Sequence, residues 1–401
     1  MIQQCDVMIV GGGAAGAAAA LLLADQGHQV VLVDGQPLAT DWPGDQFDAR
    51  VVAISPGSAS ILHSVDAWPL LHAERVAAYP SMQVCSGSGR LSFHADQHGL
   101  DALGWIAEIP AIRMALWKRL ESHSNARILC PHRVESSEQR EQSVRLKLDD
   151  GTRLAARLLV AADGARSRLR TGAGIAIDAW HYNQHALIAP VQTGRPNPGI
   201  AWQRFTEHGP LAFLPLPDGQ SSIVWSQPSD RARGQLNAED DHVIAELNNC
   251  QDSPMGPVSA IGPRHALPLV RRRARQLFKG RVVLLGDAAR SVHPLAGQGL
   301  NLGLADAAAL AECLAGSSLD DELRQGLVRY QRWRRSASEM IGGGIHAINE
   351  TTRLPFGLGQ HLLSAGFMAA ARLWPAREML IERACGFDSD SPAVAQKARS
   401  A

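Results

Sequence analysis

A glycine cluster near the start of the chain, Gly11-Gly12-Gly13-Ala14-Ala15-Gly16, constrains this sequence more than any other feature. It follows a short apolar run, Val7 to Val10, and opens an Ala/Leu-rich stretch reaching about Gln26; a second apolar run, Val30 to Val33, then ends at Asp34. The order predicts strand, tight turn, helix, strand. Gly11 permits a sharp exit from the strand, Gly13 lets a pyrophosphate approach the backbone, and Gly16 lets the helix sit close to the sheet. Free N–H groups of Ala14, Ala15 and Gly16, with the positive end of the helix dipole, then face the phosphates. Asp34 stands where a carboxylate accepts hydrogen bonds from a ribose, which favours the adenosine half of FAD or NAD over a 2′-phosphorylated nucleotide. The fingerprint by itself does not separate a flavin from a nicotinamide nucleotide.

With 401 residues, 45% hydrophobic and 19% charged, two or three packed units are expected. Lys plus Arg and Asp plus Glu both number 39, so no overall field gathers nucleic acid. The six cysteines are scattered singly, without the spacing of zinc sites or disulfide frameworks, so no metal is expected and a reducing compartment is. Met1 to Asp6 lacks the basic start of a secretory leader, and Ala14 to Ala24 is too short to span a bilayer. A cytoplasmic location is expected.

Two later motifs decide the cofactor. Val282 to Leu285 reads as a buried strand with Asp287 at its C-terminal end, where α/β sheets hold ligands, and a carboxylate there suits a polyol such as a ribityl chain. Beyond His293 and Pro294, the turn Gly297-Gln298-Gly299 opens a long Ala/Leu helix whose first N–H groups would stabilise the anionic side of a reduced flavin. Between these motifs, Leu158 to Ala162 is again a strand, followed by Asp163-Gly164 and by Arg166, Arg168 and Arg170.

The three motifs, in this order, resemble those of the class A flavin-dependent monooxygenases, the para-hydroxybenzoate hydroxylase superfamily. Asp48-Ala49-Arg50 with Ala53-Ile54-Ser55, Ile112-Arg113-Met114-Ala115-Leu116-Trp117, Trp202-Gln203-Arg204-Phe205 and Gly209 to Pro215 are similar to the ubiquinone-biosynthesis hydroxylase branch. The resemblance runs from about Val7 to Leu314. It implies a Rossmann-like α/β FAD-binding domain with an inserted antiparallel β-sheet substrate domain and C-terminal helices. It also implies FAD as cofactor, NAD(P)H and O2 as co-substrates, and hydroxylation of a phenolic, polyprenylated ubiquinone precursor through a flavin C4a-hydroperoxide. By that resemblance Gly11, Gly13, Ala14, Ala15, Gly16 and Asp34 take the ADP half of FAD, with Arg50 and Arg113 also turned towards the cofactor. Asp163 and Gly164 serve FAD and the nicotinamide donor, the latter steered by Arg166, Arg168 or Arg170 unless these are salt-bridge formers. Asp287 takes the ribityl hydroxyls, and Gly297, Gly299, Leu300 and Asn301 line the pyrimidine side of the ring. Pro294 and His293 lie near the ring face. The chain departs from many relatives by carrying Arg290 where they have histidine after Gly-Asp-Ala-Ala.

The implied units are residues 1–75, 100–172 and 265–345 for FAD, 76–99 and 173–264 for the substrate sheet, and 346–401 for a C-terminal helical segment and loose tail. Tyr182, Gln184, Trp202, Phe213 and Trp225 are the substrate-pocket candidates, the aromatic ones being equally explicable as core. An amphipathic face after Ile345, with Pro355 and Pro375 as helix breaks, packs on the flavin domain or docks on a membrane, a partner of a ubiquinone-biosynthesis complex, or a second copy. Three other readings stay open. They are a flavin reductase or dehydrogenase acting on a lipid, a non-catalytic FAD-binding protein, and a halogenase, whose string is only partly present at Trp105 and Ile109-Pro110.

Overall fold

The computed structural model describes residues 2–38, 47–48, 50–293, 297–352, 354, 356–372 and 374–396, and each count below is of those residues. Val7–Val10, Val30–Val33 and Leu158–Ala161 are buried at every position, so both faces of these strands must be covered by other elements. They form a six-stranded sheet in the order 278–279, 282–284, 158–161, 7–10, 30–33, 126–129, parallel throughout except for the two-residue edge strand Phe278–Lys279. The chain leaves Val7–Val10 towards one edge through Val30–Val33 and later returns to build the other edge. That reversal of strand order is where ligands bind in open α/β sheets. Helix Ala14–Asp25 lies on this sheet and against helix Gln298–Leu314. The two approach closely because Gly286 and Gly303 carry no Cβ: one added at either would sit 3.2 and 3.1 Å from the Cβ of Ala15.

A nine-stranded sheet forms the second large layer, with strand Ile177–Thr193 pairing on both sides and strands Ser81–Ser86 and Gly89–His94 at one edge. Directly opposed residues share a face. One face therefore carries Leu187, Trp225 and Leu211 in one row and Ala189, Ile223, Phe213 and Trp202 in the next. The other carries Ile188, Val224, Ala212 and Gln203, flanked by Ala186 and Phe205. Helix Asp240–Cys250 covers the first face, its Val243 and Leu247 packing with Trp202, Phe213 and Trp225. The second face turns towards the flavin unit, where Ala201 and Leu214 pack with Val51 and Ala53.

Several details differ from the sequence expectation. His265–Ala274, placed by sequence in the FAD unit, pairs with Ile177–Thr193 and belongs to the large sheet, because its ten residues continue that ladder before the chain turns back. Residues 173–264 also include helices Ser229–Leu236 and Asp240–Cys250. Towards the C-terminus, Leu323–Thr352, Phe356–Arg372 and Trp374–Cys385 are helical. Pro375 starts the last of these instead of breaking it, since a proline in the first turn forfeits no internal hydrogen bond; Pro355 lies outside the described residues. The tail is partly tied down: Ala393–Gln396 forms a turn of helix that buries Ala395 against helix Pro56–Ser64.

Gly16 and Gly13 make contrasting probes of the turn. A Cβ on Gly16 would lie 1.9 Å from the Gly11 carbonyl oxygen, whereas one on Gly13 meets nothing within 4 Å. Gly16→Ala should therefore lose at least about 2 kcal/mol in chemical denaturation. Gly13→Ala should stay within about 0.5 kcal/mol of the parent, because its backbone (φ −70°, ψ 176°) suits alanine.

Candidate active site

The register of the parallel sheet brings the three motifs together. Val10, Ala161 and Leu284 are aligned on adjacent strands, so Gly11, Asp163 and Asp287 all follow the C-terminal ends of neighbouring strands. Gly11 (φ +107°) makes its turn against the backbone of Ala162, where a Cβ would lie 2.2 Å from the carbonyl oxygen. Only glycine fits there. Gly13 caps helix Ala14–Asp25 without a side-chain bond, leaving the N–H groups of Ala14, Ala15 and Gly16 with no intrahelical acceptor. Gly297 (φ +61°) caps helix Gln298–Leu314 in the same way, and Gly299 is exposed beside it with open space where a Cβ would be.

Asp34 accepts the N–H groups of Gly12 and Gln36, the latter at 2.6 Å. Arg113 braces the same turn, donating from Nε to the Gly12 carbonyl at 3.0 Å, lying 3.5 Å from Asp34 and stacking on Trp117. Trp117 Nε1 donates to the same carbonyl at 2.7 Å. Arg113 thus supports the glycine turn from behind. Arg50 is exposed and paired with Asp48 at 2.9 Å; Ala49 lies outside the described residues, as does Pro294.

Asp163 accepts the Leu169 N–H at 3.2 Å through Oδ2, while its buried Oδ1 has no hydrogen-bond partner among the described residues. Gly164 (φ +83°) turns beside it with open space around its Cβ position. Of the three arginines, Arg166 and Arg168 are exposed. Arg170 is buried and donates to the carbonyls of Ala288 at 2.9 Å and Ala165 at 3.2 Å, so it ties two site turns together and is not available to steer a nicotinamide.

Asp287 reaches solvent, yet protein crowds it closely enough that desolvation raises its carboxyl above the ordinary value, an effect opposed by Arg290 and Arg272. An accessible carboxylate inside a walled cleft is what a bound polyol needs. The Asn301 side chain is used structurally: Oδ1 accepts the Ser55 N–H at 3.0 Å and Nδ2 donates to the Ala53 carbonyl at 3.1 Å, clamping strand Val51–Ile54 to the start of the helix. Leu300 packs against the main core. The glycine cradle, the two helix starts without side-chain caps, the orphaned Asp163 oxygen and the Asp287 carboxylate together fit a dinucleotide ending in a ribityl-flavin.

Across this cleft, His293 is buried and its imidazole is pushed down to about 4 by desolvation, so it is neutral at ordinary pH. Tyr182 meets it edge-on with ring centres 5.2 Å apart, and the Tyr182 hydroxyl lies 3.2 Å from Nδ1 of His346. Gln184 has a buried Oε1 without a partner among the described residues. Trp202, Phe213 and Trp225 are not at the cleft. The register places them on the far face, fully buried beneath helix Asp240–Cys250, so they are core. Phe205, three residues beyond Trp202 and therefore on the other face, packs near Phe367 of helix Phe356–Arg372 with ring centres 5.8 Å apart. Strict alternation along Trp202-Gln203-Arg204-Phe205 was the available signal separating the two faces. His346, Phe367 and Asp306 carried no such signal, because each lies far along the chain from what it touches.

The family model described as FAD binding domain matches residues 4–341. The ubiquinone hydroxylase UbiL of Rhodospirillum rubrum is 34% identical over 388 residues, covering 95% of this chain and 89% of that protein. The 3-demethoxyubiquinol 3-hydroxylase of Escherichia coli is 32% identical over 393 residues, covering 96% and 99%. Among solved structures, the p-nitrophenol 4-monooxygenase PnpA of Pseudomonas putida DLL-E4 superposes with a TM-score of 0.75 at 20% identity, covering 96% and 100%. That last likeness concerns the fold.

Two measurements probe the site. Asp287→Ala should purify with less than about a tenth of the parent's bound flavin, read from the absorbance ratio, a loss equivalent to about 1.4 kcal/mol or more. Because folded His293 titrates near 4 and the unfolded residue near 6.5, the unfolded chain takes up the proton first as pH falls. Its contribution is complete above the unfolded value and declines as pH drops from about 6.5 to about 4, by about 3 kcal/mol in all. His293→Gln should flatten that part of the stability-against-pH curve measured by urea unfolding.

Proposed function

Since the chain belongs to the class A flavin-dependent monooxygenases, in their ubiquinone-biosynthesis hydroxylase branch, and is an FAD-dependent, NAD(P)H-using enzyme, we propose that it hydroxylates an aromatic ring carbon of a polyprenylated phenolic ubiquinone precursor. The observation carrying this reading is the alignment of Gly11, Asp163 and Asp287 beyond the C-terminal ends of three adjacent strands. FAD, when bound, supplies the electron transfer and oxygen activation that no side chain here provides. The chain's own residues bind and orient. Ala14, Ala15 and Gly16 offer N–H groups to the pyrophosphate, Asp34 faces the adenosine ribose, and Asp287 accepts from the ribityl hydroxyls. The N–H groups following Gly297 would stabilise negative charge on the pyrimidine side.

The phenol lies between the flavin unit and the sheet face bearing Ile188, Val224, Ala212, Gln203 and Phe205. Gln184, Tyr182 and neutral His293 are the polar groups at that end, and the apolar lining excludes water from the reacting centre. No helix among the described residues is long and apolar enough to cross a membrane. We place the enzyme in the cytoplasm, where Leu358, Leu362, Met368, Met379 and Leu380, all exposed on the C-terminal helices, offer an apolar contact to the membrane's inner face or to companion proteins.

The test uses the holoenzyme, NAD(P)H, a prenylated phenol and isotopically labelled dioxygen. Hydroxylation predicts phenol-stimulated NAD(P)H oxidation and one labelled oxygen atom in the product by mass spectrometry. Oxidation of NAD(P)H that yields only hydrogen peroxide with every prenylated phenol would remove hydroxylation and favour the reductase reading.

A further inference from the structure

Beneath the Asp287 turn lies an ionic cluster that the binding roles above do not use. Asp306, in helix Gln298–Leu314, is completely buried and takes two guanidinium groups on the same oxygen: Arg290 at 2.5 Å and Arg334, from helix Leu323–Thr352, at 2.6 Å. Its other oxygen accepts the Gly286 N–H at 3.2 Å, one residue before Asp287. Arg290 and Arg334 are themselves only 7% and 2% exposed. Two guanidinium groups thus meet one carboxylate in a region that solvates charge poorly. Asp306 already pairs with Arg334, so burying a second guanidinium beside it adds a desolvation cost. A buried guanidinium is favoured by further negative charge nearby, and the Asp287 carboxylate, three residues from Arg290 in the chain, acts on it in that sense.

The rest of the surroundings agree. Arg272 approaches Asp287 from strand His265–Ala274, and Arg170 is fixed on the Ala288 carbonyl from the turn after Leu158–Ala161. Tyr330, on the same long helix as Arg334, donates its hydroxyl to the Leu284 carbonyl at 3.0 Å. Arg290 also lines a small cleft with Gly286, Gly299 and Gly303, between the Asp287 turn and the start of helix Gln298–Leu314.

We propose that Arg290 is a positioning residue for cofactor retention: clamped by Asp306, it supplies the fixed positive charge that keeps Asp287 an acceptor-only carboxylate towards the ribityl hydroxyls. The proposal rests on the assignment of Asp287 to FAD made above. A protonated Asp287 would present a donor where hydroxyl donors must be received, and walled burial without a nearby cation favours that protonated form. Arginine holds its charge at every accessible pH, which a histidine at this place would not.

The test follows FAD release, read as recovered flavin fluorescence on dilution of the holoenzyme, between about pH 8 and about pH 5. Arg290→Met leaves Asp306 paired with Arg334. The parent should show nearly constant affinity, whereas R290M should lose FAD progressively on acidification, by up to about tenfold per pH unit below the Asp287 pKa. R290K should behave like the parent, and D287N/R290M should bind weakly with no pH dependence. Should R290M not fold, R290Q, which hydrogen-bonds Asp306 without charge, gives the same comparison. A loss in R290M that is the same factor at every pH, or no loss at any pH, overturns the link between Arg290 and Asp287. Undiminished affinity in D287N alone overturns instead the assignment of Asp287 to FAD.

Discussion

The site depends on backbone approaching backbone where a side chain would prevent it. Gly11 turns against the Ala162 carbonyl, Gly16 lies against the Gly11 carbonyl, and Gly286 and Gly303 both admit Ala15. These contacts draw the first helix, the flavin helix and three strand ends into one cleft. Each missing Cβ is a steric requirement and not a flexibility device, since the neighbouring atoms are main chain or a methyl group that cannot swing aside. The cleft's polar character follows from the same geometry: two helices start there without side-chain caps, so their first N–H groups face whatever occupies it.

Around this cleft several large residues brace the loops. Arg113 and Trp117 hold the Gly12 carbonyl, Asn301 staples Ala53 and Ser55 to the flavin helix, and Arg170 joins the Ala165 and Ala288 turns. Each of these bonds is made to backbone, so each fixes the course of a loop and not merely a side chain. A site that must place a large cofactor gains from loops whose conformations are settled before the ligand arrives, because less ordering entropy is then lost on binding.

The flavin unit was legible in the sequence because its signals are local. A strand, a glycine turn and a helix start are contiguous, and Gly11, Gly16, Asp34 and Asp287 occupy the places that spacing indicated. The faces of the large sheet were less legible. Trp202 and Phe205 are both aromatic, and only strand parity, with knowledge of which face meets Asp240–Cys250, assigns them to opposite faces. The outer boundary of the sheet unit was misplaced at 264 because a strand that returns to an earlier sheet has the same local pattern as one that begins a new layer. Contacts such as Asp306 with Arg334 or Tyr182 with His346 join residues remote in sequence, and no periodicity encodes them.

The charges in the cleft also share a property that no single residue reveals. Arg170 and Arg290 are guanidinium groups held in place by the Ala288 carbonyl and by Asp306, and His293 stays neutral in the physiological range because burial holds it near 4. Tyr330 is raised well above its ordinary value by the same cause and remains a neutral donor. Burial has thus displaced His293, a group that could have titrated near neutrality, from that range. A bound flavin would then meet, from these groups, a field that does not change with its own charge. Such a field needs no rearrangement of protein protons when the flavin is reduced, which is the condition under which preorganised electrostatics is most effective.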